Sequence, residues 1–147
     1  MALKERLRTD LTTSLKAADK VKLSVVRLLQ AAIKNREIEL RRELTDEEVL
    51  AVITSSIKQR RESIKYFEEG GRADLVEKET QELGILSAYL PPQLGEEEVR
   101  PYIQAAIAET GASGPKDLGK VMKQVMARLK GQAAGEMVSR LAREMLS

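Results

Sequence analysis

Apolar residues return at helical spacing along almost the whole chain. Leu3, Leu7, Leu11 and Leu15 recur every four residues, with Ala18 closing the row and charged residues on the other side. That spacing predicts a short amphipathic helix. A longer helix is predicted from about Asp19 to Leu44, where Val26, Leu29, Ile33 and Leu40 share a face widened by Val25 and Ala32. Arg27, Lys34 and Arg41 repeat every seven residues along its flank, with Glu37 and Glu39 close enough to pair with them. Thr45-Asp46-Glu47-Glu48 reads as a capping box, in which hydroxyl and carboxylate satisfy each other's backbone N–H. The helix it opens buries Val49, Val52, Ile53, Ser56, Ile57, Ile64 and Phe67, and Gly70-Gly71 ends it. A fourth helix, about Arg72 to Tyr89, buries Leu75, Val76, Leu83, Leu86 and Leu90. Arg60 and Glu79 sit on the apolar faces of these two helices, either as an ion pair or as rim residues reaching solvent. Gly84 lies inside the fourth helix, at a cost of about 1 kcal/mol against Ala unless something packs closely there.

Tyr89-Leu90-Pro91-Pro92-Gln93-Leu94 interrupts this pattern. Proline lacks an N–H and disfavours helix in the residue before it, so the fourth helix must stop here. The predicted organisation is an N-terminal helical domain over 1–90, a linker over 91–95 and a small three-helix tail over 96–147. In the tail, Val99, Tyr102, Ile103, Ala106, Ile107 and Thr110 line one face, after an acidic first turn of Glu96-Glu97-Glu98. Pro115 opens a second helix with the stripe Leu118, Val121, Met122, Val125, Met126 and Leu129. Val138, Leu141, Ala142 and Met145 form the last helical face. No segment reads as a strand, and the predicted fold is all-α.

Composition narrows the chemistry. The chain has 147 residues, 3% aromatic and 33% charged, with 25 basic against 23 acidic side chains. A net charge of +2 does not by itself indicate nucleic acid. There is no cysteine and no histidine, so thiol chemistry, the usual neutral-pH base and the commonest metal ligand are absent. No metal and no cofactor is expected, since the glycines form neither a phosphate loop nor a dinucleotide fingerprint. Glu79 alone, without a placed partner acid or base, is a poor catalytic carboxylate. The first residues lack the apolar core of a signal peptide, and no apolar run reaches the roughly 20 residues that span a bilayer. A cytoplasmic protein without membrane contact is the expectation.

The remaining signal is a basic stripe. Wound at 100° per residue, Lys116, Lys120 and Lys123 fall within roughly 60° of each other, opposite the apolar stripe of the second tail helix. Lys130 extends the row. Between Lys116 and Arg143 seven basic residues stand against two acidic ones, Asp117 and Glu136. A solvated helix face is the competing reading, but such faces normally mix both signs. A face of one sign is what phosphate contacts use.

Several segments resemble the YqeY family. They are Ala31-Ala32-Ile33-Lys34-Asn35-Arg36-Glu37-Ile38-Glu39, Lys58-Gln59-Arg60-Arg61-Glu62-Ser63-Ile64, Gly71-Arg72-Ala73-Asp74-Leu75 and the Pro-Pro stretch itself. Gly119-Lys120-Val121-Met122-Lys123-Gln124-Val125-Met126 adds a tail motif. The resemblance implies an all-helical protein whose tail is similar to the C-terminal domain of GatB, a subunit of glutamine-dependent tRNA amidotransferase. That domain is associated with tRNA binding. Carried over by position, the resemblance implicates Gly119, Lys120, Lys123, Lys130 and Gly131, with Met122 as core. The chain departs from the family pattern at Ala134, where Asp would cap the last helix, and at Gly95, where Ser or Thr would cap the first tail helix.

The resulting expectation is a tRNA-associated accessory module that is not catalytic alone. It would touch RNA through Lys116, Gly119, Lys120, Lys123, Lys130 and Gly131, with Arg140 and Arg143 at the edge. The alternative is an adaptor that docks on an amidotransferase or aminoacyl-tRNA synthetase through the N-terminal helices. A carbon-nitrogen ligase using glutamine as amido donor ranks last, because neither an activated nucleophile nor an ATP site is recognisable.

Overall fold

The computed structural model describes residues 2–147, and among them every regular element is helical. The helices are α1 (Leu3–Lys16), α2 (Lys20–Leu40), α3 (Asp46–Glu69), α4 (Ala73–Ser87), α5 (Glu96–Thr110), α6 (Leu118–Leu129) and α7 (Gly135–Leu146), with a 3-10 turn at Pro115–Asp117. They divide into two compact units, Met1–Leu90 and Pro91–Ser147.

In the first unit, α1 to α4 close around Leu7, Val26, Leu29, Val49, Ile53 and Leu86. The four-leucine row of α1 is only partly buried. A step of four residues advances 40° around a helix, so the row drifts: Leu7 is buried, while Leu15 is exposed. Ser14, seven residues after Leu7 and therefore nearly in line with it, takes the inward place. Helix α2 ends four residues earlier than the periodicity suggests. Arg41 turns into the left-handed region at φ 58°, and Glu37 accepts from the Leu44 N–H at 2.8 Å. Arg42 then grips Glu48 with two bonds of 2.7 and 2.8 Å. The capping box forms as expected, with the Glu48 N–H 3.2 Å from the Thr45 hydroxyl and the Thr45 N–H 3.1 Å from the Glu48 carboxylate.

Arg60 and Glu79 are an ion pair at 3.0 Å, and Glu82 joins the same guanidinium nitrogen. Glu82 is buried, so α3 and α4 are joined by a desolvated triad as well as by apolar packing. The chain leaves this unit through Tyr89, whose buried hydroxyl donates to Asp10. Arg6 lies 4.6 Å above the Tyr89 ring and donates to the Ala88 carbonyl at 2.8 Å. Burial, with Asp10 beside it, raises the Tyr89 hydroxyl well above the usual tyrosine range.

The second unit packs α5, α6 and α7 around Val99, Ile103, Val121, Val125, Leu129 and Leu141. Residues 91–95 belong to it rather than forming a free spacer. Gln93 donates to the Pro91 and Gly131 carbonyls at 2.8 and 2.9 Å. The Leu94 N–H reaches the Gln132 carbonyl at 2.7 Å. Gly95 starts α5 with half a capping box: the Glu98 carboxylate accepts its N–H at 3.2 Å, and glycine has no side chain to return the bond. Ala134 starts α7 in extended geometry with no side-chain cap.

Candidate nucleic-acid interface

The basic stripe is built on α6, whose opposite face is fixed by the complete burial of Val121, Val125 and Leu129. Burying each of these side chains contributes roughly 1.5–3 kcal/mol, so the helix cannot rotate without exposing them. Lys120 and Lys123 are therefore held outward, and both are exposed. Lys116 is also exposed but stands on the 3-10 turn rather than on α6. Gly119 lies among these lysines, and a Cβ built there would meet open space. Its bare backbone faces solvent for no reason of packing.

Asp117 is the one acid inside the stripe. It accepts the Ser113 N–H at 3.0 Å, which pins the loop before the 3-10 turn. That bond, helped by the charges of Lys120 and Lys116, holds its carboxyl below the usual aspartate range. Lys120 approaches it at 3.7 Å, a loose pair on a largely exposed lysine. Lys116, Lys123 and Lys130 have no ion-pair partner among the described residues. Lys130 follows α6 in the left-handed region at φ 47°, and Gly131 continues the turn at φ 82°. The Gly131 carbonyl is engaged by Gln93, so this glycine has a structural reason to be there.

The two arginines expected at the edge differ. Arg140 is bound to Glu96 of α5 and lies 3.6 Å from Glu144. Glu96 above all raises its pKa beyond the ordinary arginine value. Arg143 is exposed and without a carboxylate partner among the described residues. Arg128, on the side of α6, is taken by Glu109 of α5. The local excess of base in the linear sequence is thus reduced in space by acids from another helix. Sequence reading missed Glu96, Glu109 and Glu144 as partners because they lie outside the window from Lys116 to Arg143 or late in α7. It also missed Glu82, although its three-residue spacing from Glu79 places both on one helix face. Among the described residues no group of three or more His, Cys, Asp or Glu side chains is placed to hold a metal ion.

The model of the YqeY family, described as Yqey-like protein, matches residues 4–146. Relatives that match the chain carry the name "Altered inheritance of mitochondria protein 41, mitochondrial". The one from Pyrenophora tritici-repentis is 33% identical over 144 residues, covering 96% of this chain and 79% of the relative. The one from Eremothecium gossypii is 38% identical over 123 residues, covering 81% of this chain and 67% of the relative. A Saccharomyces cerevisiae relative is 39% identical over 85 residues, 57% of this chain and 46% of its own length. These names overturn the expectation of a cytoplasmic protein. That expectation rested on the lack of an apolar leader and of a membrane-spanning run, features that do not separate one non-secretory compartment from another.

Proposed function

The chain belongs to the YqeY family, and from that premise we propose that its second unit binds folded tRNA through phosphates. The resemblance of this unit to the amidotransferase tail supplies the RNA class. The observation that carries the reading is a sorting of charges. The arginines Arg128 and Arg140 are bound to carboxylates, while Lys116, Lys123 and Lys130 are exposed and unpaired. Lys ammonium groups on one face neutralise phosphates and release counterions. Gly119 adds a place where a backbone can approach without meeting a side chain. Arg143 serves as an edge contact. Arg140 is left out, since a phosphate would have to displace Glu96.

No aromatic side chain interleaves the stripe, so base stacking is not part of the reading. Phosphate contacts position an RNA without reading its bases, and selectivity then follows tRNA shape. No catalytic role is assigned. The proposal is not tied to a compartment. It is tested by mobility shift of the full chain with deacylated tRNA, alongside a single-stranded RNA of equal length. Lys120→Ala combined with Lys123→Ala weakens tRNA binding at low salt while helicity stays unchanged. Equal binding by wild type and double variant sinks the proposal.

A further inference from the structure

The outer face of α2 carries a second surface that the tRNA reading does not use. Val21, Leu28, Ala31 and Ile38 are all exposed, Leu28 and Ile38 at 56% and 65%. With Ser24 and Asn35 they fall at alternating three- and four-residue steps, the spacing of a coiled-coil seam. The broad apolar face of α2 is already spent on the core through Val25, Val26, Leu29 and Ile33, so this seam is additional. Beside it, α2 and α3 leave a cleft of about 440 Å³, lined by Ala32, Asn35, Ala51, Val52 and Ser55 among others. The small residues make room for side chains from outside.

One flank of the seam carries Lys20, Arg27, Lys34 and, just past the helix end, Arg41. All four are exposed and none has an ion-pair partner among the described residues. The two acids that the sequence offers them are engaged elsewhere. Glu37 is bound to Lys4 and accepts the Leu44 N–H, and Glu39 pairs with Arg36 at 2.9 Å. A row of cations is thus left without ion-pair partners next to a row of exposed aliphatic side chains, and only Lys34 keeps a longer-range attraction to Glu37.

We propose that this face docks an amphipathic helix of another protein, one bearing aliphatic side chains at seam spacing and carboxylates along the edge that meets the cations. Charge complementarity selects that occupant. RNA would satisfy the cations but leave Leu28 and Ile38 against a charged backbone. A membrane surface calls for a wide apolar face, whereas this one is a narrow seam without aromatic anchors. A second copy of α2 does not supply the acids. Antiparallel pairing sets cation row against cation row, and parallel pairing sets it against Val25, Ala32 and the already paired Glu39.

The test uses the full chain and a fluorescein-labelled synthetic peptide of about three heptads, with Leu at seam positions and Glu on the flank. A matched peptide carries Lys in place of Glu. Anisotropy should show the Glu peptide binding more tightly than the Lys peptide. Arg27→Glu with Lys34→Glu should weaken the Glu peptide about tenfold or more and reverse the preference. Leu28→Glu with Ile38→Glu should remove binding of both. These side chains point outward, so circular dichroism and the melting midpoint should stay at wild-type values. Equal affinity for the two peptides, or no response to charge reversal, overturns the proposal. So does capture of wild type but not of the variants by phosphatidylserine vesicles, which assigns the face to a membrane. A concentration-dependent dimer abolished by Leu28→Glu with Ile38→Glu also overturns it, by assigning the face to self-association.

Discussion

Replacing Ala134 with Asp tests whether the last helix starts where the structure places it. Ala134 is the residue before α7, extended at φ −70° and ψ 136°, and no side chain accepts from the first-turn N–H groups. A carboxylate at this position reaches those groups, and the exchange is worth about 1 kcal/mol. The positive end of the helix dipole adds a few tenths of a kcal/mol. The second unit, Pro91–Ser147, has 147 − 90 = 57 residues. At about 2.1 cal/mol/K per residue its unfolding entropy is near 0.12 kcal/mol/K, so about 1 kcal/mol raises its midpoint by about 8 °C. Calorimetry of the full chain reads the midpoint, and hydrogen exchange localises the gain to α7 with amide opening about fivefold rarer. Ala134→Asn keeps the hydrogen bond without the charge and should give most of the effect. An unchanged midpoint together with unchanged exchange in α7 would refute the reasoning, since the cap would then lie elsewhere.

Gly84→Ala should stabilise the first unit by about 1 kcal/mol, because the position is helical and a Cβ there meets nothing within 4 Å. A lower denaturation midpoint would show a close neighbour that the structure does not. Arg60→Ala strands Glu79 and the buried Glu82 and should cost about 3 kcal/mol by urea denaturation. A cost below about 1 kcal/mol would mean the triad is hydrated and behaves as a surface pair. The Glu48 carboxyl is held down to about 2 from its ordinary 4.5, first by Arg42 and then by the Thr45 N–H. A depressed folded-state pKa contributes stability above the unfolded value, so protection at the start of α3 should persist above about pH 4.5 and fade as pH drops toward about 2. Carbon-detected NMR of the Glu48 carboxyl follows this directly, and a midpoint near 4.5 would show that the Arg42 contact does not persist.

Most of the fold is legible in the sequence because it is written in local terms. The capping box at Thr45, the glycine stop after Glu69 and the compact stripe of α6 need no knowledge of distant residues. The early end of α2 is not legible, since it depends on Glu37 meeting the Leu44 N–H and Lys4 at once. Nor is the place of residues 91–95, because proline chemistry breaks the helix but does not say which unit receives the chain; Gln93 and Leu94 bonding to the turn after α6 decides that. Charge patterns read along one helix mislead in both directions. The tail stripe loses Arg140 to Glu96 of another helix. The α2 row, beside which Glu37 and Glu39 stand in the sequence, forms no ion pair with them because both acids turn to other partners.

The central claim is that exposed lysines on one face of the tail meet RNA phosphates, and the salt dependence of tRNA binding tests it most directly. The binding constant of the full chain should be measured across a range of monovalent salt for wild type and for Lys120→Ala with Lys123→Ala. If each lysine neutralises one phosphate, the logarithmic slope should become shallower by up to about one unit per lysine removed. Arg140→Ala should leave the slope unchanged, because its guanidinium is already held by Glu96. Parallel slopes for wild type and the double lysine variant would contradict the account and leave the stripe as a solvated face.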